Sequence, residues 1–317
     1  MSEYESATTG AALFDTSAAA KLELTGPDVP MFLANLCTND IKNLPAGRGC
    51  AAYFCDPRGK VQFQTWIYNA SPSFWIETTA GRNEALFKYL DRYRISERVE
   101  LTDRTMEFAQ FHLAGPMART VLEKALGDAF DLPEFGHVDG KIRRRDWIGI
   151  AGFDLLAARD EAAGLRKRVL DAGAREAGAN VFETLRIEAG TPLFGPDIDD
   201  NRFVMEVGGA DRAVSFTKGC YLGQEPIVMA RDRAGHVNRL FVGLKALEGE
   251  LPPPPGTRLT HEGQDVGQVT SSCQSPWLGA PLALAYVRWK HHEPGTRLVG
   301  ESQTVEVIPN SAFRIPD

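Results

Sequence analysis

The chain has 317 residues, of which 43% are hydrophobic and 24% are charged, and its formal net charge is -7. This length exceeds what one hydrophobic core usually supports, so the sequence predicts two or three domains of an ordinary globular protein. The negative charge argues against broad electrostatic binding to nucleic acid, which needs clustered Lys and Arg. The short basic run at residues 141–145 is interpreted as a solvated strand edge.

The chain contains five cysteines, an odd number, and no pair has Cys-x-x-Cys spacing. This usage is typical of a reducing compartment and does not favour a self-contained metal site, so we expect a cytoplasmic protein. Residues 1–10 carry acids and no apolar core, unlike a signal peptide. The uncharged run at residues 266–287 is broken by two prolines, so we expect no membrane partner.

Strands and helices alternate irregularly along the first three quarters of the chain. A strand at 21–24 precedes a helix at 31–36, and the turn at 56–59 joins two strands of a hairpin, 51–54 and 61–67. Further strands are predicted at 74–78, 99–101 and 108–113, with a hairpin over 141–157. Helices are predicted at 84–93, after Gly115-Pro116, at 161–177 and at 181–189. Without a strict βα alternation, this order favours an α+β fold.

Six short strands, separated by turns with Gly or Pro, are predicted between residues 240 and 308. Closely spaced short strands of this kind indicate a small barrel or sandwich. We therefore place a domain boundary between residues 238 and 239, which divides the chain into 1–238 and 239–317.

Glu188 shares the apolar face of the helix at 181–189, because Val181, Leu185 and Glu188 fall at positions i, i+4 and i+7. A buried carboxylate needs partners, since an unpaired one is very costly. Two interpretations stay open at this point. Glu188 forms a salt bridge with Arg186 or a distant Arg, or it accepts hydrogen bonds from a bound amino-heterocycle.

The octapeptide at residues 218–225 combines an ammonium, a thiol, a phenol, an amide and a carboxylate with two glycines. Glycine at this density indicates a loop rather than the interior of a helix or strand. Lys218 lies two residues from Cys220 and can lower the thiol pKa. The alternative is a surface turn with an ordinary cysteine.

Lys-Gly-Cys-Tyr-x-Gly-Gln-Glu is similar to the signature of the YgfZ family of folate-binding proteins, which support iron–sulfur enzymes. These are relatives of the glycine-cleavage T-protein (GcvT, aminomethyltransferase). Segments at 14–15, 25–41, 185–197 and 270–279 also resemble this superfamily, in the expected order. The resemblance implies a GcvT-like fold, with two α+β subdomains and a C-terminal β-barrel, and tetrahydrofolate as the cofactor.

The resemblance also implies roles for individual residues. Glu188 matches the glutamate that binds the pterin ring, and Gln224 stands where the T-protein has a ligand-contacting Arg. Arg231 is a candidate for binding the carboxylate tail of folate, together with Arg233 and Arg239, although a solvated loop is an equal alternative. Cys220 is the implied functional thiol. The residues expected to tune it are Lys218 and Tyr221.

One departure from the T-protein lies in the predicted hairpin. Residues 59–64 align with Gly-Gly-Val-Ile-Asp-Asp, which supplies a catalytic aspartate, but here the acidic positions are Phe63 and Gln64. A neutral amide cannot exchange a proton as a carboxylate does. Gln64 is therefore expected to bind the cofactor, and aminomethyl transfer is disfavoured.

The sequence thus predicts a folate-dependent factor that assembles or repairs iron–sulfur clusters in client enzymes, including tRNA-modifying enzymes. Its partners would be reduced folate and these iron–sulfur clients. Two alternatives stay open. One is a tetrahydrofolate-dependent aminomethyltransferase or demethylase, and the other is a folate-binding module without a redox role.

Overall fold

The computed structural model describes residues 1–247, 249, 251–301 and 303–313. The α-helices in this part of the chain are α1 (Glu3–Thr9), α2 (Val29–Leu36), α3 (Asn83–Tyr93), α4 (Ala118–Leu126), α5 (Ala162–Asp171), α6 (Ala179–Glu188), α7 (Ala210–Ala213) and α8 (Gln224–Met229). The strands before the barrel are β1 (Ala12–Asp15), β2 (Ala20–Thr25), β3 (Gly49–Cys55), β4 (Val61–Ala70), β5 (Ser73–Thr78), β6 (Glu100–Asp103), β7 (Phe108–Ala114), β8 (His137–Val138), β9 (Ile142–Arg144), β10 (Gly152–Ala158) and β11 (Arg175–Glu176). The barrel strands are β12 (Arg239–Ala246), β13 (Arg258–His261), β14 (Gln264–Ser275), β15 (Ala280–Arg288), β16 (Arg297–Val299) and β17 (Thr304–Val307). None of the described helices has the length and apolar character needed to cross a membrane.

The first subdomain is a five-stranded sheet with the order β3-β4-β5-β2-β6. The predicted hairpin β3–β4 is confirmed. Its turn is held by Asp56, whose Oδ1 accepts the backbone N–H groups of Arg58 at 2.8 Å and Lys60 at 2.9 Å. Helices α2 and α3 cover one face of the sheet, where Phe63 packs in the core beside Tyr89. The opposite face of the hairpin points toward the centre of the molecule.

The second subdomain is a six-stranded sheet with the order β11-β1-β7-β10-β9-β8, covered by α4 and α5. The predicted helix over 161–177 is too long, because α5 ends at Asp171. Gly173 has a φ of 123°, which a helix cannot accommodate, and the chain then turns into β11. Strand β11 pairs in parallel with β1, so the chain returns to the start of the sheet.

Helix α1 was not expected from the sequence. Ser2 and Glu5 form a capping box, in which the Ser2 Oγ accepts the Glu5 N–H at 3.1 Å and Glu5 accepts the Ser2 N–H at 2.7 Å. The motif Ser-x-x-Glu is the sequence signal for such a start. The helix packs Ala7 and Tyr4 into the cluster that contains Phe14.

The last quarter of the described chain is a closed six-stranded barrel with the order β12-β15-β14-β13-β16-β17, which closes through pairing of β17 with β12. Its interior is filled by branched apolar side chains such as Leu259, Val287 and Val305. The predicted fold class is confirmed: two α+β subdomains are followed by a C-terminal β-barrel.

The basic run at 141–145 is not a solvated edge, and that prediction is wrong. Arg143 and Arg145 are both buried between the two sheets. They pair with the buried Glu77, at 3.1 Å and 2.7 Å, and Arg145 also pairs with Asp154 at 2.7 Å. Opposite charges and the faces of aromatic rings make this burial tolerable. The run therefore joins the two subdomains.

Candidate functional site

A cavity of about 530 Å³ lies where the two α+β subdomains and the barrel meet. This volume is in the range of small-molecule sites, which combine apolar walls with a few polar groups. The cavity is lined by residues from the β3–β4 hairpin, the loop before β10, the segment after α6 and the barrel, among them Ala51, Tyr53, Gln64, Trp66, Trp147, Ala189, Thr191, Pro192, Phe241 and His292. We refer to it as the central cavity.

One wall of the central cavity is a compact patch on the β3–β4 hairpin. Tyr53 lies directly opposite Gln64, and Ala51 lies opposite Trp66. Because directly opposite residues of an antiparallel pair share a face, these four side chains all point toward the cavity. Sequence analysis singled out Gln64 but missed Tyr53 and Trp66. The signal was available, since positions 51 and 53 and positions 64 and 66 alternate along predicted strands.

Gln64 is buried and its side-chain amide is bonded at both ends. Its Nε2 donates to the Pro192 carbonyl at 3.0 Å, and its Oε1 accepts the Phe194 N–H at 3.0 Å. The amide therefore holds the segment after α6 against the hairpin. A carboxylate at this position could accept from Phe194 but could not donate to Pro192. Whether Gln64 also contacts a cofactor stays a prediction.

Aromatic rings form a second wall of the cavity. Trp66 and Trp147 meet edge to face, with ring centroids 5.2 Å apart. The Arg145 guanidinium lies over both rings, 4.6 Å and 4.5 Å from their centroids. The indole Nε1 of Trp147 is buried and makes no hydrogen bond to any described residue. The wall thus combines flat apolar surface with a donor that lacks a protein acceptor.

Glu188 is fully buried at the end of α6. Its Oε2 accepts the Tyr4 hydroxyl at 2.7 Å, while its Oε1 accepts the Ser275 hydroxyl at 2.6 Å and the Trp277 N–H at 3.0 Å. The carboxylate therefore ties α1 and the barrel to α6. The neighbouring Ala189 lines the central cavity, whereas Glu188 is not part of its wall in the described structure. The implied role of Glu188 in binding the pterin ring stays a prediction.

Arg186, one of the partners considered for Glu188, bonds elsewhere. Its guanidinium pairs with Asp197 at 2.6 Å and with Glu183, and it donates to the Ser271 hydroxyl at 2.9 Å. Asp197 also accepts the hydroxyls of Ser271 and Thr270, at 2.7 Å and 2.5 Å. Although burial opposes the charge, Glu183 and Asp197 raise the pKa of Arg186 above its ordinary value. Two motif segments that are distant in sequence are joined here.

The Lys218 ammonium binds backbone carbonyl groups at the end of a helix. Its Nζ donates to the carbonyls of Ala34 and Cys37 at 2.6 Å each and of Asn39 at 2.8 Å. Three acceptors use the three donors of the ammonium and satisfy carbonyl groups at the C-terminal end of α2. Burial lowers the pKa of Lys218. The predicted tuning of the Cys220 thiol by this ammonium stays a prediction.

The other octapeptide residues lie outside the central cavity in the described structure. Cys220 is exposed at the protein surface, while Tyr221 is buried with its ring 4.7 Å from the Lys218 ammonium. The loop ends at Gly223, where φ is 83° and an added Cβ would lie 2.4 Å from the Asp56 carbonyl. Glycine is therefore required where the loop meets the hairpin turn.

Gln224 and Arg231, two further residues predicted to bind the cofactor, are also remote from the cavity wall. Gln224 is the first residue of α8 and borders a separate surface hollow. Arg231 is exposed, pairs with Asp232 and lies 4.3 Å from the centroid of the Phe216 ring. Of the four residues predicted to bind the cofactor, Gln64 is the one that lines the central cavity in the described structure.

Comparison with known proteins gives a consistent picture. The GCVT N-terminal domain matches residues 1–218, and the glycine cleavage T-protein C-terminal barrel domain matches residues 239–309. An aminomethyltransferase of Rubrobacter xylanophilus is 31% identical over 295 residues, covering 90% of this chain and 78% of that protein. One from Geobacillus kaustophilus is 30% identical over 300 residues, covering 90% of this chain and 81% of that protein.

The fold agrees with a solved structure as well. The crystal structure of glycine cleavage system aminomethyltransferase T from Bartonella henselae superposes with a TM-score of 0.91, covering 99% of this chain and 89% of that chain, at 23% identity. The predicted function in assembling or repairing iron–sulfur clusters is wrong, because these relatives are named aminomethyltransferases. They do not support the predicted iron–sulfur client partners or the link to tRNA modification.

Proposed function

Because the chain belongs to the glycine-cleavage T-protein family, we propose that it binds tetrahydrofolate in the central cavity and acts as an aminomethyltransferase. Tetrahydrofolate is the one-carbon acceptor of this family, so the predicted cofactor is confirmed at the level of the family. The observation that carries the proposal is the cavity itself, which has a suitable volume at the junction of all three parts of the fold.

The residues of the cavity fit a reduced folate. Trp66 and Trp147 offer flat surfaces for the ring system. When bound, tetrahydrofolate supplies a nucleophilic nitrogen that accepts the one-carbon unit. The protein's part is to orient the ring system between these walls and to keep water from the reacting groups.

Gln64 limits what the site can do chemically. Its amide is neutral, cannot act as a general acid or base, and is bonded to Pro192 and Phe194. This position therefore cannot exchange a proton as the catalytic aspartate of the T-protein does. We expect transfer to be slow. The same observation favours a second candidate, a folate-binding protein without turnover. The narrower assignment to the YgfZ branch, which depends on the octapeptide, stays a prediction.

An anaerobic experiment tests both candidates. Calorimetric titration with tetrahydrofolate measures binding, and a second assay follows formation of methylene-tetrahydrofolate from an aminomethylated carrier protein. Binding with turnover supports the transferase, whereas binding without turnover supports the second candidate. Absence of binding contradicts both.

A pair of matched variants locates the site. Trp66→Phe alters the cavity wall and should weaken binding, whereas Trp75→Phe alters a buried tryptophan outside the wall of the central cavity and should leave affinity unchanged. Equal effects of the two substitutions would place the ligand elsewhere.

A further inference from the structure

Tyr53 is the neighbour of Gln64 on the cavity wall, directly across the β3–β4 ladder. The two side chains differ in what they can offer a ligand. Both ends of the Gln64 amide are bonded to backbone groups of the segment after α6. The Tyr53 residue is only 5% exposed and lines the cavity, and its hydroxyl makes no hydrogen bond to any residue in the described part of the chain.

A hydroxyl on the wall of a cavity, with no partner in the protein, is available to form a hydrogen bond with a bound ligand. Burial, with a smaller contribution from Cys55, raises the pKa of Tyr53 above its ordinary value. The hydroxyl therefore stays protonated at neutral pH and acts as a hydrogen-bond donor. This part of the wall suits an acceptor atom of a ligand, such as a carbonyl oxygen or a ring nitrogen.

We propose that the Tyr53 hydroxyl donates a hydrogen bond to an acceptor atom of the folate bound in the central cavity and so positions the ligand against the hairpin. This inference rests on the proposed function, since it names a residue that recognises the same ligand. The hydrogen bonds that Gln64 makes to Pro192 and Phe194 do not involve Tyr53. Tyr53 supplies a hydroxyl donor beside the Gln64 amide, whose nitrogen already donates to Pro192 and whose oxygen already accepts from Phe194.

Tyr286 provides a matched control for a Tyr53 variant. Its hydroxyl is buried and, like that of Tyr53, has no hydrogen-bond partner among the described residues, and its pKa is raised by burial, with a smaller effect from Tyr53. It stands on β15, in contact with Phe241, but is not part of the cavity wall in the described structure. Each Tyr→Phe substitution thus removes a hydroxyl that forms no bond within the described protein.

The test measures tetrahydrofolate dissociation constants of the full chain by anaerobic calorimetry, together with thermal unfolding. Tyr53→Phe should weaken binding about 3- to 10-fold, the range expected for one lost hydrogen bond. Its unfolding temperature should not fall, because no hydrogen bond within the described protein is lost. Tyr286→Phe should leave the dissociation constant unchanged.

Three results would overturn the inference. The first is unchanged affinity in Tyr53→Phe, and the second is an equal loss of affinity in Tyr286→Phe. The third is a clear drop in unfolding temperature in Tyr53→Phe, which would indicate a structural role. In these cases the wild-type chain still binds tetrahydrofolate and the proposed function stands. Failure of the wild-type chain to bind overturns the proposed function and this inference together.

Discussion

Arg186 of α6 and Asp197 stand 2.6 Å apart with neither side chain exposed to solvent. Asp197 also accepts the hydroxyl of Ser271 from the barrel strand β14 at 2.7 Å. This pair therefore connects the segment that lines the central cavity to the barrel that closes it. The ionic bond and its hydroxyl partners fix the geometry of the junction.

Removing one member of this pair should be costly, because it leaves a buried charge without compensation. Asp197→Asn should lower the free energy of unfolding by about 3–5 kcal/mol. Urea denaturation checks this value. Asp199→Asn is the control, since Asp199 is largely exposed and its 3.9 Å pairing with Arg202 should contribute little. Similar losses in both variants would contradict a special role for the buried pair.

Gln64 should matter for stability as well as for the cavity. Gln64→Leu keeps much of the side-chain volume but leaves the Pro192 carbonyl and the Phe194 N–H without their partner. We expect a loss of about 2 kcal/mol in the free energy of unfolding. Gln62→Leu, on the opposite face of the same strand, should change it by less than about 0.5 kcal/mol. A Gln64→Leu protein as stable as wild type would show that the segment has other support.

Lys21 should make stability depend on alkaline pH. Burial lowers its pKa from the ordinary value of 10.5 to about 8, with Glu77 opposing the shift. Between these two values the unfolded chain binds a proton that the folded chain has released, so this group's contribution to stability rises with pH. Relative to Lys21→Met, wild type should gain up to ~3 kcal/mol across this window. Denaturation curves recorded from about pH 7.5 to about pH 10.5 measure this difference. Parallel pH profiles would contradict it.

The five cysteines should differ sharply in reactivity. Cys220 is exposed, whereas burial raises the pKa of Cys37, Cys50 and Cys55. A native thiol titration should therefore show one rapidly reacting group, because the thiolate is the reactive form. Cys220→Ser should abolish the rapid phase, and Cys273→Ser should retain it. A rapid phase that survives Cys220→Ser would contradict this assignment.

The hydrophobic pattern of the chain was sufficient to predict most of its helices and strands. The β3–β4 hairpin, the helix carrying Glu188 and the six barrel strands were all predicted, because alternation and helical spacing depend on neighbours in sequence. Two errors have local causes that were visible in the sequence. Gly173 ends α5, and the Ser2–Glu5 capping box starts α1.

The sequence by itself determined the fold class and the glycine-cleavage T-protein superfamily, because local periodicity predicts helices and strands and sequence motifs can be compared without knowledge of contacts. Tertiary structure alone decided which polar residues meet. It brought Tyr53 beside Gln64 on the cavity wall, enclosed Glu188 between α1 and the barrel, and placed Cys220 on the surface away from that wall. The physical reason is that these partners lie up to 184 residues apart along the chain, and only packing of the sheets against the barrel sets their distances.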